Sequence, residues 1–161
     1  MKREKDYEDL LRLFNKHKVR YCIVGAFAVA FYALPRYTKD MDILVNPGID
    51  NGRRIVNALK EFGFKSLKLT EEDFSREGKL VQLGYEPVRV DLITSISGVN
   101  FNEVWKNRVK SGFGRIRVNF IGISDLIKSK AAANRKQDSA DLDILRAAQH
   151  KRVTNQNSTR A

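Results

Sequence analysis

Apolar residues recur along this chain with two periods, and the changes of period mark its elements. Tyr7, Leu10, Leu11 and Phe14 stand at helical spacing and predict an amphipathic helix over residues 3–17. "VRYCIVG" (19–25) is rich in β-branched and aromatic residues and reads as a buried strand closed by Gly25. "AFAVAFYAL" then reads as a short helix that stops before Pro35, because the residue preceding a proline avoids the α region. "DMDILV" (40–45) predicts a second strand, ended by "NPG". Asp50 can cap a helix carrying Ile55, Val56, Leu59 and Phe62, with Gly63 as its stop.

In the second half, "FKSLKL" is a weaker strand, and "TEEDF" predicts a capped turn with Thr70 as cap and Asp73 three residues on. "KLVQLGY" and "VRVDLIT", joined at "EP", predict a hairpin. Helical "FNEVWKNRVK", strand "GRIRVNFI" and two helices capped by Ser124 and Asp138 follow. From His150 the chain is polar and aperiodic, so residues 151–161 are expected to be a frayed, disordered tail. No repeat or linker divides the rest. The expectation is one α/β domain over residues 1–150, with a mixed sheet and a helical C-terminal part.

Composition narrows the partners. Lys and Arg number 30 against 19 acids, a formal charge of +11, which favours anionic partners such as nucleotides or nucleic acid. The lone Cys22 excludes an internal disulfide, and its strand context suggests a small buried hydrophobe. His17 and His150 have no partners at zinc-ligand spacing. The charged start "MKREKDYEDL" is not a signal peptide, and the apolar run from Tyr21 to Leu34 is too short to span a bilayer. A cytoplasmic protein with no membrane association is expected.

Two carboxylates interrupt the second strand. Strand side chains alternate, so Asp40, Asp42 and Leu44 share one face while Met41, Ile43 and Val45 take the other as core. Acids two residues apart lie about 7 Å from each other and repel by about 2 kcal/mol at an effective dielectric near 20. In "VRVDLIT", Asp91 is flanked by core-type Val90 and Leu92 and points to the opposite face. If the two strands are neighbours, three acids converge, which calls for a cation among them; oxygen-only ligands select magnesium or manganese. The competing reading is an ordinary pair of strand-end acids bridged to Arg36 or Lys39.

Upstream, "IVGAF" joins a strand to a helix through Gly25, which offers uncapped N–H groups and the positive end of a helix dipole to a phosphate. Arg36 and Lys39 add positive charge between cradle and acids, and Thr38 can donate a hydrogen bond. A strand, a Gly with a small neighbour, a short helix, Asp-x-Asp on the next strand and a later lone Asp resemble the DNA polymerase beta-type nucleotidyltransferase superfamily. "VGAFAVAFYALPRYTKDMDILV" is most similar to the branch of minimal nucleotidyltransferases and abortive-infection toxins, and "DLIKSKAAANRKQDSADLDIL" resembles its Lys-rich helix and Arg-x-x-Asp-x-x-Asp segment. The resemblance covers residues 19 to about 146.

What the resemblance implies is specific. Gly25 and Ala26 would hold the triphosphate, Asp40 and Asp42 would bind two magnesium ions, and Asp91 would share one metal and help deprotonate the attacking group. Lys130 and Arg135 would join the nucleotide site. The reaction implied is transfer of a nucleoside monophosphate from a nucleoside triphosphate to RNA (a tRNA end, for example) or to a protein, possible in a toxin–antitoxin pair with a partner toxin or antitoxin. The branch usually has Gly or Ser where this chain has Ala26, which withdraws one phosphate contact of about 0.5–1.5 kcal/mol.

Between Lys106 and Lys136 the cations Lys106, Arg108, Lys110, Arg115, Arg117, Lys128, Lys130, Arg135 and Lys136 face one acid, Asp125. They can line a groove for nucleotide or RNA, or form a solvated basic face. Asp138 and Asp141 read as helix cap and capping-box partner, and Trp105 as core. The alternatives to an enzyme are a catalytically degenerate member that binds nucleic acid or a partner, and a helix-turn-helix over residues 124–149, which leaves the three acids without a purpose.

Overall fold

A computed structural model describes residues 2–33, 35, 38, 40–64, 68–85 and 88–160. The stripe of Tyr7, Leu10, Leu11 and Phe14 forms helix α1 (Lys2–Lys16), and all four side chains are buried. Strand β1 (Tyr21–Val24) follows, then α2 (Gly25–Tyr32), β2 (Asp40–Val45) and α3 (Ile49–Phe62). A 3-10 turn (Glu71–Phe74) leads to the hairpin β3 (Leu80–Tyr85) and β4 (Val88–Ile93). Helix α4 (Phe101–Lys106), the hairpin β5 (Val109–Phe113) and β6 (Ile116–Phe120), then α5 (Ile123–Ala133) and α6 (Lys136–Arg160) complete the order.

The six strands make one mixed sheet in the order β3-β4-β2-β1-β6-β5. Its centre is the antiparallel pair β1 and β2, the two strands with the most continuous apolar character. β4 runs parallel to β2 and β6 parallel to β1, so each hairpin flanks the centre through its second strand. Phe14 meets Tyr21 edge-on at 5.8 Å, which sets α1 on the sheet face of Tyr21 and Ile23; α3 packs beside it. On the same face Phe31 of α2 stacks on Phe120 at 4.2 Å. The opposite face carries Val24, Asp42 and Asp91 and is approached by Leu126 of α5.

Several local expectations need correction. The helix beginning at Phe101 ends at Lys106, and Val109 to Phe113 form β5, because Asn107 closes the helix and the tight turn at Gly114 (φ 58°) pairs Phe113 with Ile116. Gly48, not Asp50, occupies the N-cap of α3, and Asp50 lies in its first turn. Gly122, not Ser124, caps α5; Ser124 Oγ accepts a hydrogen bond from Gln149 Nε2 at 2.8 Å. Asp138 is the third residue of α6, where its carboxylate accepts the Arg135 N–H at 3.3 Å. α6 continues past His150 to Arg160, with residues 151–158 exposed. In "FKSLKL", residues 65–67 lie outside the described residues, and Phe64, Lys68 and Leu69 form no strand. The turn at Thr70 is as expected: Asp73 Oδ2 accepts the Thr70 N–H at 2.9 Å.

Asn51 ties the two central strands together at their far end. Its side-chain oxygen accepts the Arg20 N–H at 2.9 Å, and its amide donates to Arg20 O at 3.2 Å and Asn46 O at 3.0 Å. The residue is buried, so its loss leaves backbone polar groups unsatisfied. Asn51→Ala is expected to lower stability by about 2–3 kcal/mol, read as a fall in the urea midpoint at unchanged slope.

Candidate active site

Parallel pairing of β2 with β4 places Asp42 directly beside Asp91 and Asp40 beside Arg89. Residues in register on neighbouring strands share a face at about 4.8 Å spacing, so the alternation seen in the sequence becomes a shared acidic surface. The alternate residues Met41, Ile43, Val90 and Leu92 are all buried and hold the strands flat against the core. Burial pushes the Asp42 carboxyl up from 3.8 to about 6, reinforced by the charges of Asp91 and Asp40 and opposed by Arg89 and Arg135.

Arg89 is the feature that sequence reasoning missed. Its Nε lies 3.4 Å from Asp91 Oδ1, and one terminal nitrogen lies 3.5 Å from both Asp40 Oδ2 and Asp91 Oδ2. The signal was present, since a residue two before Asp91 must share its strand face. Among the described residues no three acidic, histidine or cysteine side chains form a ready-made metal cluster. The three acids share one face as expected, with Asp42 and Asp91 in register, and a guanidinium sits between Asp91 and Asp40. These carboxylates nevertheless fit a cation, because Asp40 Oδ1 and Asp91 Oδ1 are buried without a hydrogen-bond partner.

Gly25 opens α2 with φ 65°, and a Cβ built there would land on Asp42 Oδ2 and within 3.1 Å of Asp42 Cβ. Glycine is thus needed for the carboxylate to pack against the helix start. Val24 provides no side-chain cap, and the first turn of α2 contains no acid. The N–H groups of that turn, including Ala26, remain for an anion.

A cleft of about 500 Å³ collects Gly25, Asp42, Asp91, Ser129, Lys130 and Arg135 among its walls. Asp40, Ala26 and Thr38 are not among its lining residues. Arg36 and Lys39 lie outside the described residues. Lys130 is at the wall, but its Nζ lies 3.2 Å from both Asp138 Oδ1 and Asp141 Oδ2, so two buried acids already neutralise it. Arg135 grips the same Asp138 through two bonds, 2.9 and 3.2 Å long, while its side chain stays exposed. The hydrogen bond from Arg135 holds Asp138 below the usual carboxylate range. Asp138 and Asp141 thus place two cations at the cleft, in place of the cap and capping-box pair. Ser97 and Ser129 also line it; isolated serines carry no sequence pattern that could have found them.

A carboxyl whose folded value is raised binds its proton more tightly in the folded state, so stability falls as pH rises from 3.8 to about 6. Above that window the ionised Asp42 costs about 1–3 kcal/mol, discounted for its partial exposure. Without divalent ions, Asp42→Asn is expected to raise the melting temperature at neutral pH and to flatten this window, as followed by thermal denaturation across pH.

Comparison with solved structures agrees with this architecture. A Thermotoga maritima protein (TM1012), assigned as a nucleotidyltransferase, superposes with a TM-score of 0.60 at 14% identity, over 85% of this chain and 88% of that one. The lincosamide antibiotic adenylyltransferase LnuA, with lincomycin bound, gives 0.54 at 14% identity over 89% and 96%. The antibiotic-resistance factor ANT(2'')-Ia gives 0.52 at 11% identity over 98% and 96%. At such identities the likeness shows a shared fold. No curated protein matches the sequence. The sequence profile of one family matches residues 5–150, nearly the whole chain, and the protein therefore belongs to the nucleotidyltransferases of unknown function grouped as DUF6036.

Proposed function

We propose that this chain transfers a nucleoside monophosphate from a nucleoside triphosphate to a hydroxyl of an RNA or protein acceptor, with magnesium or manganese as cofactor. The observation that carries the reading is the pairing of Asp42 with Asp91 beside the uncapped start of α2, at one cleft. Of the solved structures that share the fold, one is named a lincosamide antibiotic adenylyltransferase and another an antibiotic-resistance factor, and the first supports a nucleotide donor.

In this reading the Gly25 and Ala26 N–H groups hold phosphate oxygens, and Arg135 lends charge at the rim. Asp91 Oδ1 receives the proton of the acceptor hydroxyl, whose oxygen bonds to the α-phosphorus. The bridging α–β bond breaks and pyrophosphate leaves with its electron pair. Bound at Asp42 and Asp91, with Asp40, divalent ions would neutralise the carboxylates and stabilise charge on the transferring phosphate. A cytoplasmic toxin–antitoxin setting, with a partner protein supplying or masking the target, belongs to the same proposal.

One observation favours a second reading. Arg89 between Asp91 and Asp40 is what a degenerate member, binding nucleotide or a partner without chemistry, would use in place of metal. Incubation with α-phosphate-labelled nucleotides, magnesium, total tRNA and candidate proteins separates the two. Transfer is expected to require divalent ion and to fall at least about 100-fold, roughly 2.7 kcal/mol, in Asp42→Asn and Asp91→Asn. Unchanged transfer in Asp42→Asn would sink the assignment. Arg89→Gln is expected to tighten manganese binding, measured by titration without nucleotide, since the cation no longer competes with a guanidinium.

A further inference from the structure

A second groove, of about 350 Å³, is lined by Asn15, Trp105, Arg108, Lys110, Arg117 and Asn119. Strand register places it relative to the acids. Ile23 pairs with Phe120, so Arg117 and Asn119 lie on the face opposite Ile23, as do Val24 and its partner Asp42. Lys110 pairs with Asn119 and joins that face. β6 is two strands from β2, about 10 Å across the sheet, and Arg117 lies about 13 Å along the strand from the level of Asp42.

The cations of this groove are arranged differently from those at the cleft. Lys130 and Arg135 are neutralised by acids, whereas among the described residues Arg108, Lys110 and Arg117 form no ion pair with a carboxylate. Arg108 is nonetheless fixed: its guanidinium lies 3.7 Å over the Trp105 ring and donates to Trp105 O at 2.7 Å. Its Nε is buried without a hydrogen-bond partner. Trp105 is therefore half-buried platform for a cation and not simply core. Asn15 and Asn119 each spend one amide N–H on a main-chain carbonyl, at 2.8 and 3.2 Å, which leaves each amide a second N–H. One fixed cation and two exposed ones, none paired with a carboxylate among the described residues, stand beside spare amide groups and suit a phosphodiester backbone and the 2′-hydroxyls of RNA.

We propose that this groove binds single-stranded RNA, and that the RNA is the acceptor of the transfer proposed above; only the second half rests on that reading. A small acceptor does not span the groove and the cleft together. α5 lines the cleft through Leu126, and its Asp125 Oδ2 accepts a 3.1 Å bond from Asn107, the residue before Arg108 of the groove. A ligand that occupies the groove and reaches Asp42 is a polymer.

The test uses the full-length protein, without nucleotide or divalent ion, and a fluorescein-labelled RNA of about 12 nucleotides followed by anisotropy. Arg108→Ala with Arg117→Ala is expected to weaken binding at least tenfold and to reduce the slope of log affinity against log salt by about 1.4, or 0.7 per lost contact. Lys151→Ala, an exposed cation on α6, should change little. Lys110→Ala, which leaves the Trp105–Arg108 contact in place, is expected to weaken binding even if the double variant is unstable. An equal loss in Lys151→Ala, equal binding of DNA of the same sequence, or equal binding of polyglutamate overturns the proposal. In the unsubstituted protein with nucleoside triphosphate and magnesium, absent transfer alongside intact, Arg108-dependent RNA binding refutes the catalytic reading and leaves the groove standing. Transfer to limiting RNA that is unaffected by the double variant refutes the groove as the acceptor site.

Discussion

The organisation of the cleft depends on one unfavourable contact, the partly buried Asp42 carboxylate held against the first residue of α2 with a second carboxylate alongside. Burial and like charge both oppose its ionisation. Met41 and Ile43 are fully buried, so β2 cannot slip by one residue to expose the acids without exposing its core side chains. A glycine with positive φ is then required at residue 25, because any side chain there would occupy the carboxylate's space. Strain of this kind persists where the rest of the structure over-determines it, and it commonly marks a functional site.

Charge is compensated unequally across the same sheet face. At the cleft, Asp138 and Asp141 hold Lys130 in a buried triad, and Asp138 also fixes Arg135, so α5 and α6 are tied where they approach the acids. Arg89 offers partial relief between Asp91 and Asp40 through long, weak contacts. Toward the β5–β6 edge the cations lack acidic partners among the described residues, and an aromatic ring orders one of them instead. A cleft walled by Asp42 and Asp91 thus shares a sheet face with a groove lined by Arg108, Lys110 and Arg117.

The stripe of α1, both central strands, the β3–β4 hairpin and the acids of β2 and β4 were legible in the amino-acid order, because each is a local periodicity forced by burial of one face. The Gly25 turn was legible for the same reason, although its closest constraint proved to be Asp42 as much as any phosphate. Helix boundaries were less so. The signals at Asp50 and Ser124 were displaced by neighbouring glycines, and the strand at Val109 was hidden behind a helix-like run whose end depended on a turn at Gly114.

Sequence alone determined that carboxylates and core side chains must alternate on β2 and β4, since strand geometry sends successive residues to opposite faces. Only the tertiary structure decided that these strands are parallel neighbours with Asp42 beside Asp91, and that Arg89 lies between Asp91 and Asp40. It also decided that Lys130 is spent on Asp138 and Asp141 while Arg108, Lys110 and Arg117 are not. Pairing between distant segments is settled by how the whole set of apolar faces packs at once, and no local pattern encodes it.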